Sequence, residues 1–100
     1  MPIIIRENVE VKDIQTEIIE PQETDKNKDR IFAISNGDNE IEVKIMGSND
    51  CETWEERDSV TIEANNNRSL TCGPQVYWVK LIGNTTTSGT TSVVDASLTY

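Results

Sequence analysis

Residues 31–100 consist of short apolar runs separated by turn sequences. In the clearest run, residues 40–46, Ile41, Val43 and Ile45 alternate with charged side chains. A period of two places successive side chains on opposite faces of a β-strand. We therefore predict a strand at residues 40–46, with Ile41, Val43 and Ile45 facing the core.

Other segments predict further strands. Residues 76–82 are apolar on both faces, which is typical of a central strand, and residues 91–100 alternate again, with Val94, Ala96 and Leu98 on one face. No segment carries a convincing helical pattern. The chain is therefore predicted to be all-β, an antiparallel β-sandwich of about seven to eight strands, either immunoglobulin-like or jelly-roll-like. Shorter strands are expected at residues 31–34, 60–62 and 69–72.

A turn is predicted between the strands at residues 31–34 and 40–46. Asn36-Gly37 is a strong turn signal, because both residue types tolerate positive φ.

The first 30 residues are patterned differently. An apolar cluster opens the chain, and residues 20–30 contain no large apolar side chain, which is typical of an exposed loop. We predict an extended N-terminal arm and polar hinge over residues 1–30, followed by a β-sandwich domain over residues 31–100. The arm either adds a strand to a neighbouring subunit or supplies the first strand of its own domain. Its predicted partner-binding residues are Ile3, Ile4, Ile5, Val9 and Val11.

Composition removes several classes of chemistry. The 100 residues include no histidine, so a Ser-His-Asp triad and a histidine-ligated metal are excluded. Nine basic residues against eighteen acidic ones give a net charge of −9, which disfavours nucleic acid as a partner. No apolar run approaches the roughly 18 residues of a membrane span. We predict no enzyme activity, no catalytic or metal site and no cofactor.

The charge is unevenly distributed. Residues 1–63 carry a net charge of −10, whereas residues 64–100 carry +1 and are rich in Ser, Thr and Asn. The neutral last third is therefore where we expect packing against another protein.

Two tryptophans and two cysteines have alternative interpretations. Trp54 and Trp78 are candidate ligand-facing aromatic residues, although a lone tryptophan such as Trp54 is most often a lid on the edge of the core. Cys51 and Cys72 are either separate thiols or a disulfide that closes a loop of about 20 residues.

Residues 31–100 resemble small immunoglobulin-like β-sandwich domains of bacterial and tailed-phage virion proteins. The resemblance lies in Ser48-Asn49-Asp50, Trp54, the strand at residues 60–62 and the segment from Tyr77 to Leu81. Cys51 stands where those domains commonly have glycine, and Lys80 where they tend to have arginine. In that family the Ser-Asp turn and the tryptophan brace one end of the sandwich, and the tyrosine strand is central.

The resemblance implies a structural or adhesive role, with no catalytic residues to transfer. We expect a structural protein of a phage or phage-like particle, such as a head decoration, head–tail joining or tail-accessory subunit. Its partners would be protein subunits of the same or a neighbouring type, in a homo-oligomer or larger assembly within a virion. The alternative is a carbohydrate or cell-surface binding module in an extracellular location.

Overall fold

The chain folds into β-strands joined by turns. The computed structural model describes residues 2–25, 27–73 and 76–100. In chain order the strands of these residues are β1 (Ile3–Val11), β2 (Thr16–Glu23), β3 (Arg30–Ser35), β4 (Ile41–Ser48), β5 (Glu55–Ile62), β6 (Asn67–Cys72), β7 (Trp78–Thr85) and β8 (Ser92–Thr99).

The strands form two four-stranded antiparallel sheets. Sheet 1 has the order β1-β8-β3-β6, and sheet 2 has the order β2-β7-β4-β5. Within them β1 pairs with β8, β2 with β7, β3 with β6 and β4 with β5. This nesting of the first four strands on the last four is the topology of a jelly roll. The all-β sandwich is confirmed, and its strand order differs from that of an immunoglobulin domain.

The core lies between the two sheets. The alternation predicted for residues 40–46 is confirmed, because Ile41, Val43 and Ile45 are each 0% exposed. From sheet 1, Phe32 and Leu98 face them and are equally buried. Strand β7 lies between β2 and β4 in sheet 2, as expected for a central strand.

Residues 2–23 belong to the sandwich, and the structure does not show an extended N-terminal arm. Strand β1 is hydrogen-bonded to β8, and β2 is hydrogen-bonded to β7. Val11, Ile18 and Ile19 are buried in the same core as the later strands. Of the two alternatives for the arm, the geometry is that of a first strand in its own domain.

Part of the predicted polar hinge is also strand. Residues 20–23 form the second half of β2, whose pairing with β7 is interrupted by register shifts between Glu17 and Ile19 and between Ile19 and Gln22. These shifts and the proline at position 21 suit an edge strand, in which one side of the backbone needs no partner. The lack of large apolar side chains here reflects that edge position.

The turn between β3 and β4 is present, but its backbone differs from the prediction. Neither Asn36 nor Gly37 has positive φ. Asn36 is buried, and its Nδ2 donates hydrogen bonds to the carbonyl oxygens of Asn39, Ile62 and Glu63. Gly37 is required for close approach instead, since a Cβ there would lie 2.5 Å from the carbonyl oxygen of Val93.

Candidate protein-interaction surface

Strand β1 divides the predicted partner-binding residues between two faces. Ile3 and Ile5 are 60% and 58% exposed on the outer face of sheet 1. Ile4 and Val9 are partly buried against the core, and Val11 is fully buried. Only the first pair is therefore available to a partner in the folded chain.

A β-bulge explains why both Ile4 and Val9 point inward although their numbers differ in parity. The pairing of β1 with β8 shifts register between Arg6 and Val9, and Asn8 has a φ of 56°. The Asn8 backbone N–H donates a 2.8 Å hydrogen bond to Asp95 Oδ1. The extra residue of the bulge reverses the alternation of the strand after this point.

The outer face of sheet 1 carries two rows of side chains without any charge. In each row, the side chains from β1, β8, β3 and β6 lie next to one another across the sheet. We call these eight side chains the uncharged block. Its rows are Ile3-Thr99-Ile31-Thr71 and Ile5-Ser97-Ala33-Ser69.

Two of the exposed apolar residues on this face were not predicted from the sequence to bind a partner. Ile31 is 46% exposed and Val93 is 47% exposed, both with their side chains on the outer face of sheet 1. The alternation of residues 91–100 had placed Val93 opposite the core-facing set. Ile31 was hidden within a short apolar run, where only pairing with both β8 and β6 reveals which face is exposed.

The block borders an open groove of about 430 Å³ on the same face. Ile5, Ala33, Ser69 and Ser97 contribute to its lining, together with Asp95 from the next row. Glu7 and Arg68 also line the groove, so its lining combines apolar and hydroxyl-bearing side chains with charged side chains of both signs.

The outer face of sheet 2 has a different character. Lys44 Nζ lies 3.8 Å from a carboxylate oxygen of Glu42 and 3.6 Å from one of Glu56. Lys80 Nζ lies 4.4 Å from the centroid of the Trp54 ring. The outer face of sheet 2 is therefore charged, and its two lysines have partners within the chain.

The two tryptophans do not form an exposed aromatic platform. Trp54 and Trp78 are both only partly exposed. The cation over Trp54 occupies one side of the ring, where a sugar would have to stack. Trp78 opens strand β7, opposite Ser48 on β4 and Glu23 on β2.

The Ser-Asp turn next to Trp54 is strongly hydrogen-bonded. Asp50 Oδ1 accepts hydrogen bonds from the backbone N–H groups of Thr53 at 2.8 Å and Glu52 at 2.9 Å, and from Ser48 Oγ at 2.9 Å. These bonds stabilise the ionised carboxylate and lower the pKa of Asp50 to about 2. The carboxylate acts as a brace for the β4–β5 turn.

A second carboxylate connects the two sheets. The guanidinium of Arg6 on β1 forms a two-pronged ion pair with Glu20 on β2, in which Nε donates to Oε2 at 3.1 Å. The hydrogen bond from Arg6 lowers the pKa of Glu20. This pair closes the side of the sandwich where β1 and β2 are edge strands.

Both cysteines carry free thiols, so the disulfide considered for Cys51 and Cys72 is not formed in this structure. Cys51 lies in the β4–β5 turn of sheet 2 with a φ of 61°, whereas Cys72 is buried at the end of β6 in sheet 1.

Residues 2–25, 27–73 and 76–100 contain no group of three or more acidic or cysteine side chains arranged to hold a metal ion. In the same ranges no helix is long and apolar enough to cross a membrane.

No family model and no curated protein matches this sequence. Among solved structures, the chain is similar to PirA, with 12% identity, 95% of this chain and 90% of that chain covered, and a TM-score of 0.65. It is also similar to a structure from Bacillus endospore appendages, described as a novel family of disulfide-linked pili. That likeness has 10% identity, covers 96% of this chain and 84% of the other, and has a TM-score of 0.52. At these identities the similarities show a shared sandwich fold.

Proposed function

We propose that this chain is a non-enzymatic structural subunit that assembles with other protein subunits through the outer face of sheet 1. The observation that carries the proposal is the contrast between the two outer faces. Exposed isoleucines stand on sheet 1 within an uncharged block, while sheet 2 presents charged side chains, including the ion pairs of Lys44 and the contact of Lys80 with Trp54. Apolar side chains grouped on one face are typical of a protein-binding surface.

One of the two fold similarities supports this proposal. That neighbour is described as belonging to Bacillus endospore appendages, which form disulfide-linked pili. We propose for this chain an equivalent setting, an appendage or particle outside the cytoplasm. The phage or phage-like particle expected from the sequence resemblance is one such setting. A subunit of such a particle would also need a surface that binds other protein subunits.

The test is whether the purified chain assembles. Sedimentation velocity from micromolar to millimolar concentration should show species larger than the 11.2 kDa monomer. Because the proposed contact is apolar, added salt should preserve or strengthen association rather than dissolve it. A chain that stays monomeric at every concentration and salt level would contradict the proposal.

The carbohydrate-binding alternative depends on the tryptophans rather than on the outer face of sheet 1. It requires that a glycan displace Lys80 from the Trp54 ring or stack on Trp78, which would change tryptophan fluorescence. Titration with a broad glycan panel decides this point, with Trp54→Leu and Trp78→Leu as the variants that should abolish a response at Trp54 and at Trp78, respectively. A saturable fluorescence change that is lost in one of these two variants would favour this alternative over the assembly role.

A further inference from the structure

We propose that the partner of the uncharged block is a second copy of this chain, packed face to face about a two-fold axis. The inference rests on the proposed function and specifies its partner and geometry. Three properties of the block carry it, namely its shape, its charge and its size.

The shape of the block is self-complementary. Its isoleucines form a ridge of Ile3 and Ile5 on β1 and a shorter ridge on β3, where Ile31 stands next to the small Ala33. The strand between them, β8, contributes only Ser97 and Thr99. Because adjacent strands lie about 4.8 Å apart, the ridges are separated by about 10 Å, with a channel of small side chains between them. A two-fold axis between β3 and β8 places the β3 ridge of each copy in the β8 channel of the other.

The charge of the chain restricts where an identical copy can approach. Each copy carries a net charge of −9, so two copies repel one another over most of their surfaces. The eight side chains of the block are uncharged. The carboxylates on the same face belong to Glu7, Glu10 and Asp95, which lie in the rows beyond the block. Face-to-face contact at the block therefore keeps these carboxylates out of its centre.

The size of the block sets the expected strength. Four strands and two rows cover roughly 20 by 14 Å, well below the area of about 800 Å² per partner in a standard interface. We therefore expect a weak, rapidly exchanging dimer of the isolated chain. In a larger assembly the same contact would be strengthened by the other contacts of the subunit.

Matched variants test the surface. Ile31→Glu places a carboxylate on the β3 ridge, whereas Val93→Glu makes the same change at an equally exposed position on sheet 1 outside the block. The dimer association constant should fall by about tenfold or more for Ile31→Glu. Val93→Glu should retain nearly the association of the unmodified chain. Urea unfolding of both variants verifies the fold, and if Ile31→Glu unfolds early, Ile5→Glu provides the same readout.

A charge-complementation experiment tests the geometry. Thr99→Lys alone should also weaken the dimer, because it fills the β8 channel in the row that contains Ile31. In a mixture of Ile31→Glu and Thr99→Lys chains, the ridge carboxylate of one copy meets the channel ammonium of the other, so association should recover. The mixture of Val93→Glu with Thr99→Lys is the control and should not recover.

The outcomes separate the two proposals. Recovery in the first mixture alone supports the two-fold contact. If the unmodified chain associates but Ile31→Glu is no weaker than Val93→Glu, or the first mixture fails to recover, the face-to-face contact is wrong and the assembly role stands. If the unmodified chain never associates, both the role and this contact are wrong.

Discussion

Arg30 is the largest side chain among the fully buried ones in the described residues. Its guanidinium donates hydrogen bonds to the carbonyl oxygens of Asp25 at 3.1 Å, Lys28 at 3.0 Å and Gly73 at 2.9 Å. It also lies 3.4 Å from Cys72 Sγ. The cation therefore ties the β2–β3 connection to the end of β6, with backbone carbonyls in place of a carboxylate partner.

Replacing Arg30 should be costly. Arg30→Met leaves three carbonyl oxygens without their donor, and we expect a loss of about 3 kcal/mol in the free energy of unfolding, measured in urea. Arg68→Met, at an exposed position on β6, is the matched control and should change the free energy by less than about 0.5 kcal/mol. Equal stability of the two variants would show that Arg30 does not organise this end of the sandwich.

The carboxylate of Asp50 is expected to contribute to the loss of folding stability at low pH. Its pKa is lowered in the folded chain from 3.8 to about 2, so its stabilising effect is complete above pH 4 and disappears as the pH falls toward 2. Asp50→Asn should flatten the loss of stability within this window, as measured by thermal unfolding at a series of pH values. Asp38→Asn, at an exposed position in the β3–β4 turn, provides the charge-matched control. An unchanged pH profile for Asp50→Asn would contradict the role of this carboxylate.

At the scale of elements, the sequence predicts strands with a clear apolar face better than edge strands. The period-two patterns of β4 and β8 directly show their buried faces, and both were located from the alternation alone. Strand β5 begins at Glu55, yet only its last residues had been predicted, because its first five residues are all exposed. An exposed edge strand carries no burial pattern from which it could be recognised.

The candidate surface was predictable in part for the same reason. Ile3 and Ile5 belong to a conspicuous apolar cluster, which drew attention to them. Ile4 faces the core by the ordinary alternation of the strand, whereas Val9 faces the core because of the bulge at Asn8, which cannot be seen in the apolar pattern. The uncharged block combines residues from four strands. Its rows can be recognised only when the register between β1, β8, β3 and β6 is known.

The β3–β4 turn provides a prediction at the same scale. Gly37→Ala would place a Cβ 2.5 Å from the Val93 carbonyl oxygen, so the backbone must shift, and we expect a loss of roughly 1–3 kcal/mol. Gly73→Ala is the control, because a Cβ there has nothing within 4 Å. Chemical denaturation of the two variants makes the comparison. A stable Gly37→Ala protein would show that the turn adapts without cost.

At the scale of the whole molecule, the sandwich needs its first strand. Removal of residues 1–11 deletes the β1–β8 pairing and the buried Val11, and it uncovers one edge of β8. We expect the shortened chain to lose cooperative thermal unfolding, as followed by circular dichroism. Ile3→Ser alters the exposed side of the same strand and should leave the transition nearly unchanged. Cooperative unfolding of the shortened chain would restore the description of these residues as a separate arm.

The pairing of β1 with β8 also determines how the domain would respond to tension. The two strands run antiparallel, and the backbone N–H of Tyr100 donates a 3.1 Å hydrogen bond to the carbonyl oxygen of Pro2. The two ends of the described chain therefore lie side by side. A force that pulls them apart acts along the hydrogen bonds between β1 and β8 and breaks these bonds one after another. A subunit stretched through these two ends should unfold at low force. A force applied through the faces of the sheets would not act on the hydrogen bonds between β1 and β8.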